Sequence, residues 1–87
     1  MARYELRFKT SVAKDLRGIA KSEVKRIIGR IEALRDDPRP PRAEKLSGHD
    51  LYRVRQGLYR IVYRVLDAEI VVEVIKVGHR REVYRSL

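Results

Sequence analysis

Near its start the chain alternates strictly, with Tyr4, Leu6 and Phe8 on one side and Glu5 and Arg7 on the other, which predicts a short β-strand over residues 4–8 with an apolar inner face. The period then lengthens. Val12, Leu16, Ile19 and Ala20 recur at helical spacing behind Thr10 and Ser11, whose hydroxyls suit an N-cap, so a short helix is expected to run to the neighbourhood of Lys21. Ser22 is the expected cap of a second, longer helix in which Val24, Ile27, Ile28, Ile31 and Leu34 make one apolar stripe. Gly29 inside that helix costs about 1 kcal/mol against alanine, a cost expected to be offset by close packing on the first helix. Asp36, Asp37 and Pro38 end it, because proline disfavours helical geometry in the residue before it.

Residues 38–50 hold three prolines and one glycine and read as a connection, in which residues 43–46 add a brief edge strand. Three alternating segments follow, 51–55, 58–65 and 69–77, separated by Gln56-Gly57 and Asp67-Ala68 as two-residue hairpin loops. No internal repeat or low-complexity tract interrupts this order. The expectation is a single α+β domain over residues 1–87: an N-terminal strand, a helical hairpin, then a three- to four-stranded antiparallel sheet.

The hairpin loops imply a register. The first sets Tyr52 opposite Ile61, Val54 opposite Tyr59 and Arg53 opposite Arg60; the second sets Tyr63 opposite Val72, Ile61 opposite Val74 and Val65 opposite Ile70. One face is then apolar and takes the two helices. The other carries Arg53, Arg55, Arg60 and Arg64, with Glu73, opposite Val62, as its acid. Like charges placed directly opposite each other destabilise a sheet, so this face reads as a surface on which several guanidinium groups converge on one anion. A solvated basic face with ordinary ion pairs is the alternative.

Composition supports an anionic partner. The chain has 21 Lys and Arg against 12 Asp and Glu, a net charge of +9, and fifteen of those 21 are arginine, which grips phosphate with a planar fork. The excess is spread along the chain, with 13 basic and 7 acidic residues in 1–48 and 8 and 5 in 49–87. No cysteine is present, which excludes disulfides and thiolate metal sites and fits a reducing compartment. Residues 1–10 offer no apolar signal core and no stretch approaches the roughly 18 apolar residues of a membrane span. A cytoplasmic protein is expected, with no membrane partner. The segment Val77-Gly78-His79-Arg80-Arg81-Glu82-Val83-Tyr84 adds a titratable ring, two arginines and an aromatic that can stack on a base.

Lys45-Leu46, the run from Tyr52 to Tyr63 (YRVRQGLYRIVY) and the run from Val77 to Tyr84 (VGHRREVY) together resemble the RelE/ParE superfamily of bacterial and archaeal toxins, and in particular its RelE branch. The resemblance covers nearly the whole chain. It implies a toxin that enters the ribosomal A site, cuts mRNA there without a metal or other cofactor, and is silenced by an acidic antitoxin wrapped around it. It further implies that Arg60 holds the phosphate, that Arg80 acts as acid or charge stabiliser, that Tyr84 stacks on or orients the substrate, and that Arg53 and Arg55 are the basic strand pair. Arg64, Lys45 and Arg81 are further expected RNA contacts, with Lys76 another candidate and His49 a bystander.

The chain departs from the best-known RelE pattern, which has lysines at the positions of Arg53 and Arg55. Arginine stays protonated and makes a poor general base. The base is therefore His79, ranked first, or Glu44, or catalysis is mostly positional. Two other readings stand beside the ribonuclease: a ParE-like protein that poisons DNA gyrase by contact, and a non-catalytic RNA- or DNA-binding module.

Overall fold

A computed structural model describes residues 3–46 and 50–79. The elements, in chain order, are β1 (Glu5–Phe8), α1 (Thr10–Arg17), α2 (Lys21–Ala33), β2 (Glu44–Lys45), β3 (Tyr52–Gln56), β4 (Tyr59–Leu66) and β5 (Val71–His79). The class is α+β, with two helices on one face of a five-stranded sheet of order β1-β5-β4-β3-β2. The expected antiparallel run is present as β2 to β5, and β1 joins it through parallel pairing with β5, Glu5 to Val71 through Phe8 to Val74. The helical hairpin between β1 and the rest of the sheet makes this crossover possible, since parallel neighbours need a long connection.

The two periodicities read from the sequence meet in one core. Val12, Ile27, Ile31 and Leu34 from the helices pack on Val54, Ile61, Tyr63, Val65, Val72, Val74 and Val77 from the sheet, all buried. Burying each of these side chains is worth about 1.5–3 kcal/mol, and in a chain this small that thin core carries most of the stability. Tyr4 and Leu6 pack against it, whereas Phe8, expected on the same side, is 43% exposed at the end of β1.

The helix ends differ from expectation. Lys9 and Ala20 occupy the N-cap positions and neither makes a side-chain capping bond, so Thr10, Ser11 and Ser22 lie inside the helices instead of before them. α1 stops at Arg17, where Gly18 serves as C-cap. Gly29 faces open space: a Cβ built there meets nothing within 4 Å, so it makes no close approach to α1.

Both hairpin registers shift. The first loop is Gly57-Leu58, which extends the ladder to Gln56 opposite Tyr59 and sets Val54 opposite Ile61 and Tyr52 opposite Tyr63. The reason is local: a two-residue loop needs positive φ at its first residue, and Gly57, at φ 60°, supplies it. Arg60 therefore faces Arg55, not Arg53, which lies opposite Val62. The second connection is a four-residue turn, residues 67–70, because Asp67-Ala68 has no glycine to take positive φ in a two-residue loop; it closes through the Ile70 N–H to the Asp67 carbonyl, with Ile70 itself at φ 55°. Tyr63 then faces Val74, Val65 faces Val72 and Glu73 faces Arg64, in place of the expected partners. A bulge in β5 between the partners of Val62 and Tyr63 shifts the ladder again, so that Ile61 faces Val77, Arg60 faces Gly78 and Tyr59 faces His79.

Candidate functional site: an arginine row at the end of the sheet

The shift in the first hairpin is by two residues, so every side chain keeps its face even though its partner changes. The face away from the helices carries Arg53, Arg55, Arg60 and Arg64, as expected, but its surroundings are uneven. Arg53, only 16% exposed in its side chain, is ion-paired to Glu44 of the edge strand β2. Arg64 pairs with Glu73 at 3.6 Å. A small second core of Leu51 and Val62, flanked by Leu46 and Ile75, lies beside them, with Val62 opposite Arg53 and between Arg60 and Arg64 along β4.

At that end the row across the sheet reads Arg55, Arg60, Gly78. Two guanidinium side chains stand on adjacent strands, and the third strand contributes a glycine. Arg55 is exposed and Arg60 half-buried, and together with Gly57, Leu58 and Tyr59 they line a shallow hollow of about 60 Å³. Placing like charges opposite each other works against folding; an anion between them reverses the sign of that contribution. A tetrahedral oxyanion bound by two forks is the chemistry this row suits.

The other expected residues divide. His79 ends β5 on the helix-covered face, its ring edge-on to Tyr59 with centroids 6.1 Å apart, and it lines a cleft with Asp15 and Gly18 of the α1 region; it does not share a face with Arg60. Lys45 is exposed but lies opposite Tyr52, also on the helix side of its strand. Lys76, named as a further phosphate contact, turns instead to Asp15 on α1 at 3.0 Å. Arg80, Arg81, Tyr84 and His49 lie outside the described residues.

Three features of the site were not read from the sequence. Asp15, 11% exposed in its side chain, accepts hydrogen bonds from the Lys76 ammonium and from the Val77 N–H at 3.2 Å, clamping β5 one residue before Gly78. Arg30 and Arg42 join Arg53 and Arg55 around a cleft of about 350 Å³ at the edge of β3. On the outer side of the helices, Ala13, Leu16, Ile19 and Val24 floor a groove of about 460 Å³ whose rim is Arg17, Lys21 and Lys25. Its sequence signal was available: each helix has apolar residues to spare beyond those its sheet-facing stripe buries.

Among the described residues no group of three or more His, Cys, Asp or Glu is arranged to hold a metal ion, and no helix is long and apolar enough to cross a membrane.

Known proteins agree with this architecture along its length. The family model for the ParE toxin of type II toxin-antitoxin system, parDE, matches residues 6–84. A protein of Methanocaldococcus jannaschii named as toxin RelE1 is 33% identical over 79 residues, covering 86% of this chain and 88% of the relative. The isolated Escherichia coli RelE toxin superposes with a TM-score of 0.77 at 32% identity, over 95% of this chain and 93% of that one. The toxin-antitoxin complex RelBE2 from Mycobacterium tuberculosis gives a TM-score of 0.79 at 25% identity, over 90% and 99%. The chain belongs to the ParE toxin family, within the RelE/ParE superfamily, and is a toxin of the type II toxin-antitoxin class.

Proposed function

We propose that this toxin is a metal-independent endoribonuclease that cuts mRNA in the ribosomal A site and so inhibits translation. The observation that carries the reading is the cross-strand pair of Arg55 and Arg60, two guanidinium groups placed opposite each other beside Gly78 and lining one hollow. The reaction is attack of a ribose 2′-hydroxyl on the adjacent phosphodiester. The 2′ oxygen bonds to phosphorus, the bond to the 5′ oxygen breaks, and the products are a 2′,3′-cyclic phosphate and a 5′-hydroxyl. Charge accumulates on the non-bridging oxygens of the phosphorane, and fixed guanidinium groups aimed at them lower the barrier.

In this scheme Arg60 and Arg55 hold the phosphate, Arg80 protonates or shields the leaving oxygen, and Tyr84 stacks on the neighbouring base. Arg53, Arg64, Lys45 and Arg81 supply longer-range attraction to RNA. The position of His79 behind the sheet and the ion pair of Glu44 with Arg53 leave no side chain of the described residues poised as general base. Catalysis is then mainly positional and electrostatic, with the ribosome aligning the 2′-hydroxyl.

The partner in this reading is an acidic antitoxin, as the RelB complexes among the structural relatives suggest. The basic-rimmed groove over α1 and α2 is suited to the apolar face of an amphipathic segment carrying Asp or Glu along its edges.

Primer-extension mapping of an mRNA in a reconstituted translation reaction tests the enzyme directly. The wild type should produce cuts at A-site codons, and Arg60→Ala should slow them about 10²- to 10³-fold, the scale on which a removed transition-state charge partner is felt, with an unchanged melting temperature. The family match to ParE supports a second reading, contact inhibition of DNA gyrase. Intact mRNA together with DNA breaks that persist in Arg60→Ala would establish that reading and overturn the first.

A further inference from the structure

Seven arginines of the described residues, from Arg3 near the N-terminus to Arg64 on β4, stand in ion pairs with carboxylates. Arg17, Arg30, Arg42 and Arg55 form no salt bridge among the described residues, and the last three line one cleft, whose wall also holds the Glu44–Arg53 ion pair. They reach it from three different elements: Arg30 from α2, Arg42 from the connection behind Pro40 and Pro41, and Arg55 from β3. The cleft opens where the edge strand ends. β2 pairs with Tyr52 and Arg53, so from Val54 onward β3 has no outer neighbour among the described residues.

With the Glu44 carboxylate taken up by Arg53, the three remaining guanidinium groups of this concavity repel one another, and a bound anion relieves that repulsion. The volume, about 350 Å³, accommodates a nucleotide-sized group. The proline pair fixes the backbone of the rim, so little conformational freedom is lost when Arg42 closes on a ligand. Arg55 decides which anion, because it lines both this cleft and the hollow it shares with Arg60. Two anion sites with a common wall fit consecutive phosphates of one strand.

We infer that the Arg30–Arg42–Arg55 cleft is a second phosphate-binding site, which takes a backbone phosphate of single-stranded RNA flanking the one held between Arg55 and Arg60. The inference rests on the ribonuclease reading and adds to it a direction, since the RNA leaves the cut site toward the β2 edge of the sheet.

The test is binding of 2′-O-methylated RNA, which is not cleaved, to the full chain over a range of salt concentrations. A dinucleotide and a dodecamer are compared for the wild type, for Arg30→Gln/Arg42→Gln and for Arg60→Ala. Each phosphate contact on a single strand contributes about 0.7 to the slope of log affinity against log salt. The double variant should therefore flatten the dodecamer slope by about 0.7 and leave dinucleotide binding unchanged, with a melting temperature like that of the wild type. Arg60→Ala should weaken both ligands. A double variant that binds the dodecamer like the wild type, while Arg60→Ala does not, overturns the second site and leaves the ribonuclease reading standing. Equal loss for dinucleotide and dodecamer also overturns it, by placing these arginines at the cut phosphate itself. Unchanged RNA binding with weakened binding of a glutamate-rich peptide would assign the cleft to an acidic protein instead. A wild type that binds neither RNA would overturn the second site, while the cleavage reading is decided by the primer-extension assay.

Discussion

At the turn joining β4 to β5, Arg39 reaches over from the connection after α2 and lays its two terminal nitrogens on the carboxylate of Asp67 at 3.1 and 2.7 Å, while its Nε donates to the Tyr52 hydroxyl at 3.0 Å. The Tyr4 hydroxyl donates to the same carboxylate at 2.8 Å, and Tyr63, stacked on Tyr52, donates its hydroxyl to the Pro38 carbonyl at 2.7 Å. Burial pushes the Tyr63 phenol well above its ordinary range, which favours the protonated form that donates this bond. At the other end of the sheet Arg55 faces Arg60 across the hairpin, with Gly78 in the place where a partner side chain would stand. The same residue type thus ties a loop to the sheet at one end and, at the other, is held where it repels its neighbour. What separates the two roles is the neighbour each position provides: the Asp67 carboxylate for Arg39, a second guanidinium for Arg55.

That contrast breaks if the roles can be exchanged. Arg55→Ala should cost about 10- to 100-fold in cleavage, the equivalent of one charge-assisted hydrogen bond of about 1.5–3 kcal/mol, and should leave thermal stability unchanged or slightly raised as the repulsion with Arg60 is relieved. Arg39→Ala should do the reverse, lowering the melting temperature with cleavage of a saturating substrate retained. Parallel losses of both properties in both variants would show that the two ends are one unit.

Asp15 gives a smaller effect that sharpens the comparison, because it is a buried acid supporting the functional end. Asp15→Ala removes the acceptor of the Val77 N–H and the counter-charge of Lys76, and should cost about 1–3 kcal/mol in a denaturant titration. Asp15→Asn keeps an acceptor oxygen for Val77 and should recover part of that loss. If both variants are as stable as the wild type, the bulge in β5 is held by the ladder alone.

The sequence made the element order and the division into an apolar and an arginine face legible, because a period of two and a period of 3.6 survive changes of partner. Register was harder. The position of Gly57 inside its loop depends on which residue adopts positive φ, and a slip of two residues leaves every face unchanged while exchanging Arg53 for Arg55 opposite Arg60. The bulge shows in β5 as a break in alternation, Val72 and Val74 being followed by Lys76 and only then by the buried Val77, which a strict period of two passes over. Asp15 with Val77, and Arg39 with Asp67, are joined across 62 and 28 positions, and only the assembled fold brings them together. His79 reads as part of the site because it precedes Arg80; strand alternation then sends it to the side opposite Arg60.

The smallest expected effect concerns Asp67, and its sign is fixed by the direction of its titration. The Arg39 guanidinium, and after it the Tyr4 hydroxyl, hold its carboxyl down from the ordinary 3.8 to about 2. A group whose folded value is depressed contributes stability that is fully present above the unfolded value and disappears as pH falls through the folded one. The knot therefore stabilises the protein above about pH 4 and ceases to do so by about pH 2. Asp67→Asn should melt below the wild type at neutral pH, and the two curves should converge as the pH is lowered through that window. Because both partners are largely exposed, added salt at neutral pH should also narrow the gap. A difference that persists unchanged at pH 2 would mean that the turn is held by its hydrogen-bond geometry, and that charge pairing is no more the organising feature of this end of the sheet than of the other.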